Sequence, residues 1–365
     1  MKKILVLCPY PEDVAPSQRL KFEQYYDSFR QANYKVTVSP FISLAFWRII
    51  YKKGHFGLKV WHTLVGYWRR LQDLARIRSY DIVYIHLWVT PLGPTLFERL
   101  TRLLAKRVIF DIDDLVYLKD VTSKANPLIS KLKGADKPLY LMRVAEHVIT
   151  CTPYLDSFVR KLNPNTTDIS STVDTDAYLP REDYSIQQDK PVLGWSGSQS
   201  TSQYLYLLTD VLKKVKEKVD FRLLVMGDAS FSIDGLDVEA KAWSRDYELE
   251  TIARFDIGLY PLPDEEWVLG KSGLKAIQYM AMGIPTIATA IGANFRVIED
   301  GKSGFLVKNQ EEWAQRLLEL IESPTLRESI GRQARRRVEE NFSIQVNRKA
   351  YLDVLAKVLN KNQTA

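Results

Sequence analysis

Short apolar runs alternate with helical patterns along this chain, and the series occurs twice. In the first half, runs that predict buried strands lie at residues 3–8, 35–38, 81–86, 107–110 and 147–150. In the second half they lie at residues 191–195, 221–226, 256–260, 285–288 and 304–307. Strands separated by helices form parallel, doubly wound sheets. The sequence therefore predicts an α/β protein with two Rossmann-like domains.

A polar, turn-rich stretch between the two series sets the domain boundaries. We expect an N-terminal domain over residues 1–170, a linker over 171–190 and a C-terminal domain over 191–342. A final helix over 343–365 would cross back to the first domain. Parallel sheets bind ligands at the carboxyl ends of their strands, so we expect the two domains to face a central cleft.

The 365 residues include two cysteines, Cys8 and Cys151, which are too few for a disulfide framework and indicate a reducing cytosol. The apolar run after Lys3 ends at Pro9, which is too short for a signal peptide. We therefore expect a cytoplasmic protein.

Positive charge is concentrated in the first 110 residues, which hold 18 Lys and Arg against 7 Asp and Glu. Much of it lies in the basic aromatic segment, defined here as residues 41–78, which contains three of the eight tryptophans. Cations mixed with tryptophan suit the headgroup layer of an anionic membrane. The candidate membrane residues are Trp47, Arg48, Lys52, Lys53, Trp61, Trp68, Arg69 and Arg70. The same mixture can also bind a nucleic acid or pack against its own domain.

A glycine-rich loop, residues 270–273 (GKSG), precedes a helix predicted over 273–282. Glycines let the backbone approach a ligand, and free amides at a helix start attract phosphate. Lys271 brings a positive charge to the same place, and Lys275 adds another one turn further on. The pattern favours stabilisation of a diphosphate leaving group. A plain connecting loop with solvated lysines is the alternative.

Three aspartates, Asp111, Asp113 and Asp114, follow the strand predicted over 107–110. Aspartates two residues apart at a strand end can hold Mg²⁺. They can equally orient a hydroxyl group or cap the next turn. The four histidines have no metal-ligand spacing with each other or with a cysteine.

The run 270–288, centred on QYMAMGIP, resembles the donor-sugar segment of the family 4 glycosyltransferases. These are retaining enzymes with the GT-B fold. Further segments resemble the family in the same order: 171–180, 192–198, 224–228, 242–244 with Glu248, 256–261, 292–299 and 301–307. The resemblance is strong over 190–345 and looser before 150.

The resemblance implies that the C-terminal domain binds a nucleotide-diphosphate sugar, with UDP preferred over GDP, and that no metal is required. It implies that the N-terminal domain binds a lipid-linked or growing glycan acceptor. Transfer of a hexosyl or N-acetylhexosaminyl group would retain configuration, in surface polysaccharide or glycoconjugate synthesis. Such an enzyme is expected at the cytosolic face of the cell membrane as a peripheral protein, with no nucleic acid partner.

The same resemblance implies the site residues. The donor-binding positions would be Ser196, Gly197, Ser198, Gly227, Asp228, Trp243, Ser244, Gly270, Ser272, Gly273, Leu274, Lys275 and Gln278. Lys271 would act on the leaving group, and Asp113 and Asp114 on hydroxyls of the sugar or acceptor. Arg19 would meet an acceptor phosphate.

Two departures from the family pattern affect this prediction. Gly270 and Gln278 occupy the positions of two usual glutamates, and residues 196–201 are uncharged where many members carry Arg and Lys. Neutralisation of the diphosphate would then depend on Lys271, supported by Lys275. Gln278 still offers hydrogen-bond donors and acceptors to ribose hydroxyls. A GT-B sugar-nucleotide epimerase and a non-catalytic nucleotide-sugar-binding scaffold stay open as alternatives.

Overall fold

The computed structural model describes residues 1–50, 52–116, 136–186 and 188–360. By its internal packing the chain divides into two compact units, Thr172–Val346 and Met1–Ser171 with the chain from Asn347 onward. Residue 51 of the basic aromatic segment, residue 187 of the predicted linker and residues 361–365 of the predicted last helix lie outside the described residues.

The first unit contains one parallel sheet. Its strands are β1 (Lys2–Cys8), β2 (Tyr34–Pro40), β3 (Ile82–His86), β4 (Val108–Asp111), β5 (His147–Thr150) and β6 (Thr166–Asp168), in the spatial order β2-β1-β3-β4-β5-β6. The helices in its described part include α1 (Pro16–Arg19), α2 (Tyr26–Gln31), α3 (Leu44–Ile50), α4 (Phe56–Arg76), α5 (Leu96–Leu104), α6 (Asp136–Val144) and α7 (Pro153–Arg160). The apolar runs of its central strands are buried and form the core.

The second unit repeats this architecture. Its strands are β7 (Val192–Ser196), β8 (Arg222–Met226), β9 (Val238–Lys241), β10 (Ile257–Tyr260), β11 (Thr286–Thr289) and β12 (Phe305–Val307), in the order β12-β11-β10-β7-β8-β9. Its helices include α8 (Thr209–Lys216), α9 (Glu248–Ala253), α10 (Leu274–Ala281), α11 (Asn294–Val297), α12 (Gln310–Glu322) and α13 (Pro324–Asn341). Helix α14 (Ile344–Asn360) begins in this unit and continues in the first.

The predicted α/β class is confirmed, and each apolar run forms a strand close to its predicted position. Two strands, β6 and β9, are not predicted from the sequence. Both lie at a sheet edge and are polar and half-exposed, so neither carries the apolar run that marks a buried strand.

A buried arginine on helix α4, Arg70, connects this helix to the first sheet by hydrogen bonds. The Arg70 guanidinium donates to the carbonyl oxygens of Cys8, Ser39 and Val89 over 2.8–3.0 Å, and to the Asp73 carboxylate over 3.0 Å. Its side chain is 1% exposed. The prediction that Arg70 faces a membrane is therefore wrong, because this cation joins the helix to the ends of β1 and β2.

We expect the substitution Arg70→Met to lower the free energy of unfolding by about 3 kcal/mol, because it removes a buried charged donor from the Asp73 carboxylate and from three carbonyl oxygens. Asp73 keeps its hydrogen bonds from the Ser39 hydroxyl and from Arg76. Urea denaturation measures the change. The exposed Arg48 gives a matched control, since Arg48→Met should change stability by less than about 0.5 kcal/mol. Equal effects of the two substitutions would contradict the anchoring role.

Candidate functional site

Two turns meet at the carboxyl edge of the second sheet. The turn after β7 contains Gly197, and the turn after β8 contains Gly227, whose φ is +118°. A Cβ atom at Gly227 would lie 2.0 Å from the Gly197 carbonyl oxygen. The Gly197 N–H in turn donates to the Met226 carbonyl over 2.9 Å. Glycine at 227 therefore permits a close approach of the two turns, at the edge where parallel α/β folds bind ligands.

Helix α10 holds the first of these turns in place. The Tyr279 phenol oxygen accepts a hydrogen bond from the Ser196 N–H over 2.7 Å and lies 3.0 Å from Ser196 Oγ. Burial raises the pKa of Tyr279, so the phenol keeps its proton. The donor-site loop, defined here as residues 196–198, is thus positioned by a neutral, fully buried side chain.

Lys275 crosses this loop between two aromatic rings. Its ammonium lies 5.0 Å from the centre of the Trp195 ring and 5.4 Å from that of Tyr260. A Cβ atom at Gly197 would lie 2.3 Å from the Trp195 ring and 2.9 Å from Lys275 Cε, so glycine makes room chiefly for the tryptophan ring that faces the lysine. Across the described residues, Lys275 has no carboxylate partner within 4.0 Å. Burial and the positive charge of Lys271 lower the pKa of Lys275 to about 7.

Lys271 is the second residue of the glycine-rich loop and directly follows a short 3₁₀ helix over Glu266–Gly270. Its ammonium is 5.3 Å from the centre of the Trp267 ring. Gly273 follows with a φ of +79° and precedes α10, so the backbone turns sharply into the helix. The loop and the helix start therefore bring two cations and a set of backbone amides to one place, an arrangement suited to an anion.

Gln278 belongs to a buried polar network. Its Nε2 donates to the Tyr178 hydroxyl over 2.7 Å and to Glu248 Oε1 over 3.2 Å. Gln278 and Glu248 are each 5% exposed. The sequence singles out Gln278 but gives no role to Tyr178 or Glu248.

Other predicted donor-binding residues have structural partners. Asp228 accepts hydrogen bonds from the Ser202 and Ser230 hydroxyls over 2.6 and 2.7 Å, which lower its pKa. Trp243 packs against the core. Ser244 lines a cavity of about 340 Å³ beside β8 together with Met226 and Tyr247. Gly270, Ser272 and Leu274 flank Lys271 and Gly273 in the glycine-rich loop and the first turn of α10.

A buried ion pair lies at the carboxyl edge of the first sheet. The Asp111 carboxylate accepts from the Lys21 ammonium and from the Tyr84 hydroxyl, and all three side chains are buried. Lys21 also donates to the Ile112 carbonyl over 3.3 Å. Asp111 is therefore engaged by protein groups. Within the described residues, no group of three or more His, Cys, Asp or Glu side chains is arranged to hold a metal.

Asp113 and Asp114 differ in their surroundings. Asp114 Oδ1 accepts from the N–H of the next residue, Leu115, over 2.8 Å. Asp113 is 13% exposed, and its Oδ1 lies 3.9 Å from Nε2 of His86. Burial lowers the pKa of His86 to about 3, so the imidazole beside Asp113 is neutral at physiological pH. Arg19, the predicted acceptor contact, is half-buried at the end of α1.

Helix α4 presents an apolar stripe on its outer face. Its large exposed side chains are Phe56, Leu58, Val60, Trp61, Leu64, Trp68 and Leu71. Arg48, Lys52 and Lys53 nearby are exposed as well. Trp47 packs edge-to-face on Tyr10, and Arg69 is half-buried and donates to the Pro40 carbonyl. Among the described helices, none is both long and apolar enough to cross a bilayer.

Comparison with known proteins identifies relatives of both sequence and fold. The family model "Glycosyl transferases group 1" matches residues 190–323. Trehalose synthase of Pyrococcus horikoshii is 26% identical over 190 residues, and the chain spans 46% of that relative's length. D-inositol 3-phosphate glycosyltransferase of an Arthrobacter species is 22% identical over 75% of this chain and 70% of the relative.

Solved structures resemble the fold across almost the whole chain. The complex of Anabaena HepE with UDP-glucose matches with a TM-score of 0.68 at 16% identity, covering 98% of this chain and 100% of that one. Sucrose-phosphate synthase of Thermosynechococcus elongatus matches with a TM-score of 0.72 at 15% identity, covering 99% and 100%. Two parallel α/β sheets of this kind define the GT-B fold.

The fold is therefore the GT-B fold, as predicted. Within the second domain, residues 190–323 match the group 1 glycosyltransferase family model, in the region where the sequence resemblance is strong.

We expect the Lys275 ammonium to titrate with a midpoint near pH 7 in the unliganded protein, because no described carboxylate offsets its burial. NMR of lysine labelled with ¹³C at Cε measures the midpoint. Lys271→Met should raise it, since the substitution removes a like charge. A midpoint near the ordinary lysine value of about 10.4 would contradict the described environment.

Proposed function

We propose that this chain is a retaining glycosyltransferase with a nucleotide-diphosphate sugar as donor. A UDP-sugar is the preferred donor and a GDP-sugar the second choice. The match of residues 190–323 to the group 1 glycosyltransferase family model supports this proposal, as does the similarity of the fold to a protein crystallised with UDP-glucose. The transferred group is a hexosyl or N-acetylhexosaminyl unit. The acceptor is a lipid-linked or growing glycan bound by the first domain, in surface polysaccharide or glycoconjugate synthesis.

The observation that carries the proposal is the pair of lysines beside the donor-site loop. In the transfer, the bond from the anomeric carbon to the phosphate oxygen breaks, and the acceptor oxygen bonds to that carbon on the same face. The proton of the acceptor hydroxyl passes to the departing phosphate. The bonding electrons leave with the diphosphate, so negative charge grows on its terminal phosphate. Lys271 and Lys275, with the backbone amides at the start of α10, lie where they can stabilise this charge without a metal ion.

Asp113 is the proposed contact to a hydroxyl of the sugar or acceptor. Asp113 is partly exposed, and its carboxylate lies 3.9 Å from the imidazole of the neutral His86. Asp114 is the weaker candidate because its carboxylate already accepts a hydrogen bond from the adjacent Leu115 N–H.

We expect Lys271→Ala to lower turnover by roughly 100-fold, the effect of removing one charge-stabilising group from a transition state. The assay follows nucleoside diphosphate release from a panel of nucleotide sugars, with and without lipid-linked acceptors. Lys302→Ala, an exposed lysine of the same unit, is the matched control and should keep full turnover. Near-normal turnover of Lys271→Ala would exclude the proposed role.

The same assay distinguishes the alternatives. Diphosphate release that requires an acceptor supports transfer. Exchange of sugar isomers without release indicates the epimerase, and binding without either reaction indicates the scaffold.

We further propose that the first domain docks on an anionic membrane surface as a peripheral protein at the cytosolic face. The exposed stripe of α4 supports this, because Trp61 and Trp68 lie on it and the exposed cations Arg48, Lys52 and Lys53 lie close in sequence. Apolar and aromatic side chains enter the headgroup layer while cations bind anionic lipid. A nucleic acid is not a proposed partner.

We expect the double substitution of Trp61 and Trp68 by Ser to reduce co-sedimentation with vesicles containing anionic lipid by at least fivefold. Binding of the unchanged protein should weaken with added salt and with neutral lipid. Leu179→Ser removes an equally exposed apolar side chain elsewhere and should leave binding unchanged. Binding that ignores anionic lipid, or that survives loss of both tryptophans, would contradict the membrane proposal.

A further inference from the structure

The network of Gln278, Glu248 and Tyr178 has a fixed arrangement of donors and acceptors. A glutamine amide carries two N–H groups, and Nε2 of Gln278 has two acceptors, the Tyr178 hydroxyl and the Glu248 carboxylate. These bonds determine which way the amide faces. They also hold the Glu248 carboxylate against helix α10, although Glu248 begins a different helix, α9.

One negative charge on the side chains at positions 248 and 278 is stabilised by the hydrogen bond between them, whereas two negative charges would repel each other. Oε1 of Glu248 lies 3.2 Å from the Gln278 side chain, so a glutamate at 278 would face another carboxylate at hydrogen-bond distance. Like charges at that distance raise each other's pKa and disfavour ionisation of both groups. The glutamine at position 278 is thus matched to the carboxylate at position 248.

This pair lies next to the proposed diphosphate site along helix α10. Gln278 follows Lys275 by three residues, so their side chains leave the helix about 5–6 Å apart on one face. In a nucleoside diphosphate the ribose follows directly after the phosphates. A ribose attached to a diphosphate at Lys275 could therefore reach Gln278 and Glu248, one helical turn away.

We propose that Glu248 is the residue that accepts hydrogen bonds from the ribose hydroxyls of the donor, and that Gln278 is a positioning residue for it. This inference rests on the proposed function. A carboxylate is the acceptor that doubly wound nucleotide-binding domains use for a ribose hydroxyl. The negative charge that faces the ribose then belongs to Glu248 of α9, and the residue at position 278 of α10 is neutral.

The test compares the binding of UDP, 2′-deoxy-UDP and 3′-deoxy-UDP by calorimetry. The unchanged protein should prefer UDP over at least one deoxy analogue by roughly tenfold or more, since a hydrogen bond to a charged group is lost. Glu248→Gln should abolish this preference. Glu322→Gln, an exposed carboxylate of the same unit, is the matched control and should keep it.

A charge exchange tests the positioning role of Gln278. Gln278→Glu places two carboxylates together and should weaken UDP binding, and the double substitution Glu248→Gln with Gln278→Glu should restore both binding and the preference for ribose. Thermal unfolding of each variant shows whether a loss reflects folding, and the exchanged pair should unfold near the temperature of the unchanged protein.

The outcomes distinguish a wrong assignment of Glu248 from a wrong proposed function. If the Glu248→Gln variant binds UDP and still prefers it over the deoxy analogues, the assignment of Glu248 is wrong, but the proposed donor site is unaffected. The same conclusion follows if the unchanged protein binds UDP and both deoxy analogues equally well. Failure of the unchanged protein to bind UDP or any nucleotide sugar would overturn the proposed function itself.

Discussion

The proposed donor site depends on Lys275, a half-buried cation that has no carboxylate partner within 4.0 Å among the described residues. Lys275 lies between the Trp195 and Tyr260 rings, and the nearby charge that acts on it is the like charge of Lys271. Burying a cation is costly unless something of opposite charge approaches it. The aromatic faces supply part of that compensation, and a bound diphosphate would supply the rest. Glycine at 197 makes room for the Trp195 ring that faces Lys275, and Tyr279 holds the turn beside it.

Buried charges of the first domain differ from Lys275 because they have partners of opposite charge inside the fold. Lys21 pairs with Asp111, and Arg70 pairs with Asp73. A paired charge connects elements of the fold, and its hydrogen-bonding positions are largely occupied by protein groups. The chemistry of this domain is therefore expected from its partly exposed groups, of which Asp113 beside the neutral His86 is the clearest.

Sequence reasoning predicts the sheets well because their central strands are apolar and short. It misses β6 and β9 because an edge strand needs no apolar run. It also singles out Lys271, Lys275 and Gln278 as site candidates, which share one loop and one helix. It cannot find what surrounds them, since Trp195 and Tyr260 come from β7 and β10 and meet Lys275 only after the sheet has formed. For Arg70 the sequence predicts an exposed membrane residue, but the side chain points into the fold. It donates to carbonyl oxygens whose positions are known only from the folded structure.

The central claim is that two lysines at the edge of the second sheet bind the diphosphate of a nucleotide sugar. A crystal structure of the protein with UDP tests it most directly. The account predicts phosphate oxygens within hydrogen-bond distance of the ammonium groups of Lys271 and Lys275, above the donor-site loop. A diphosphate bound elsewhere, with both ammonium groups left without a phosphate contact, would contradict it.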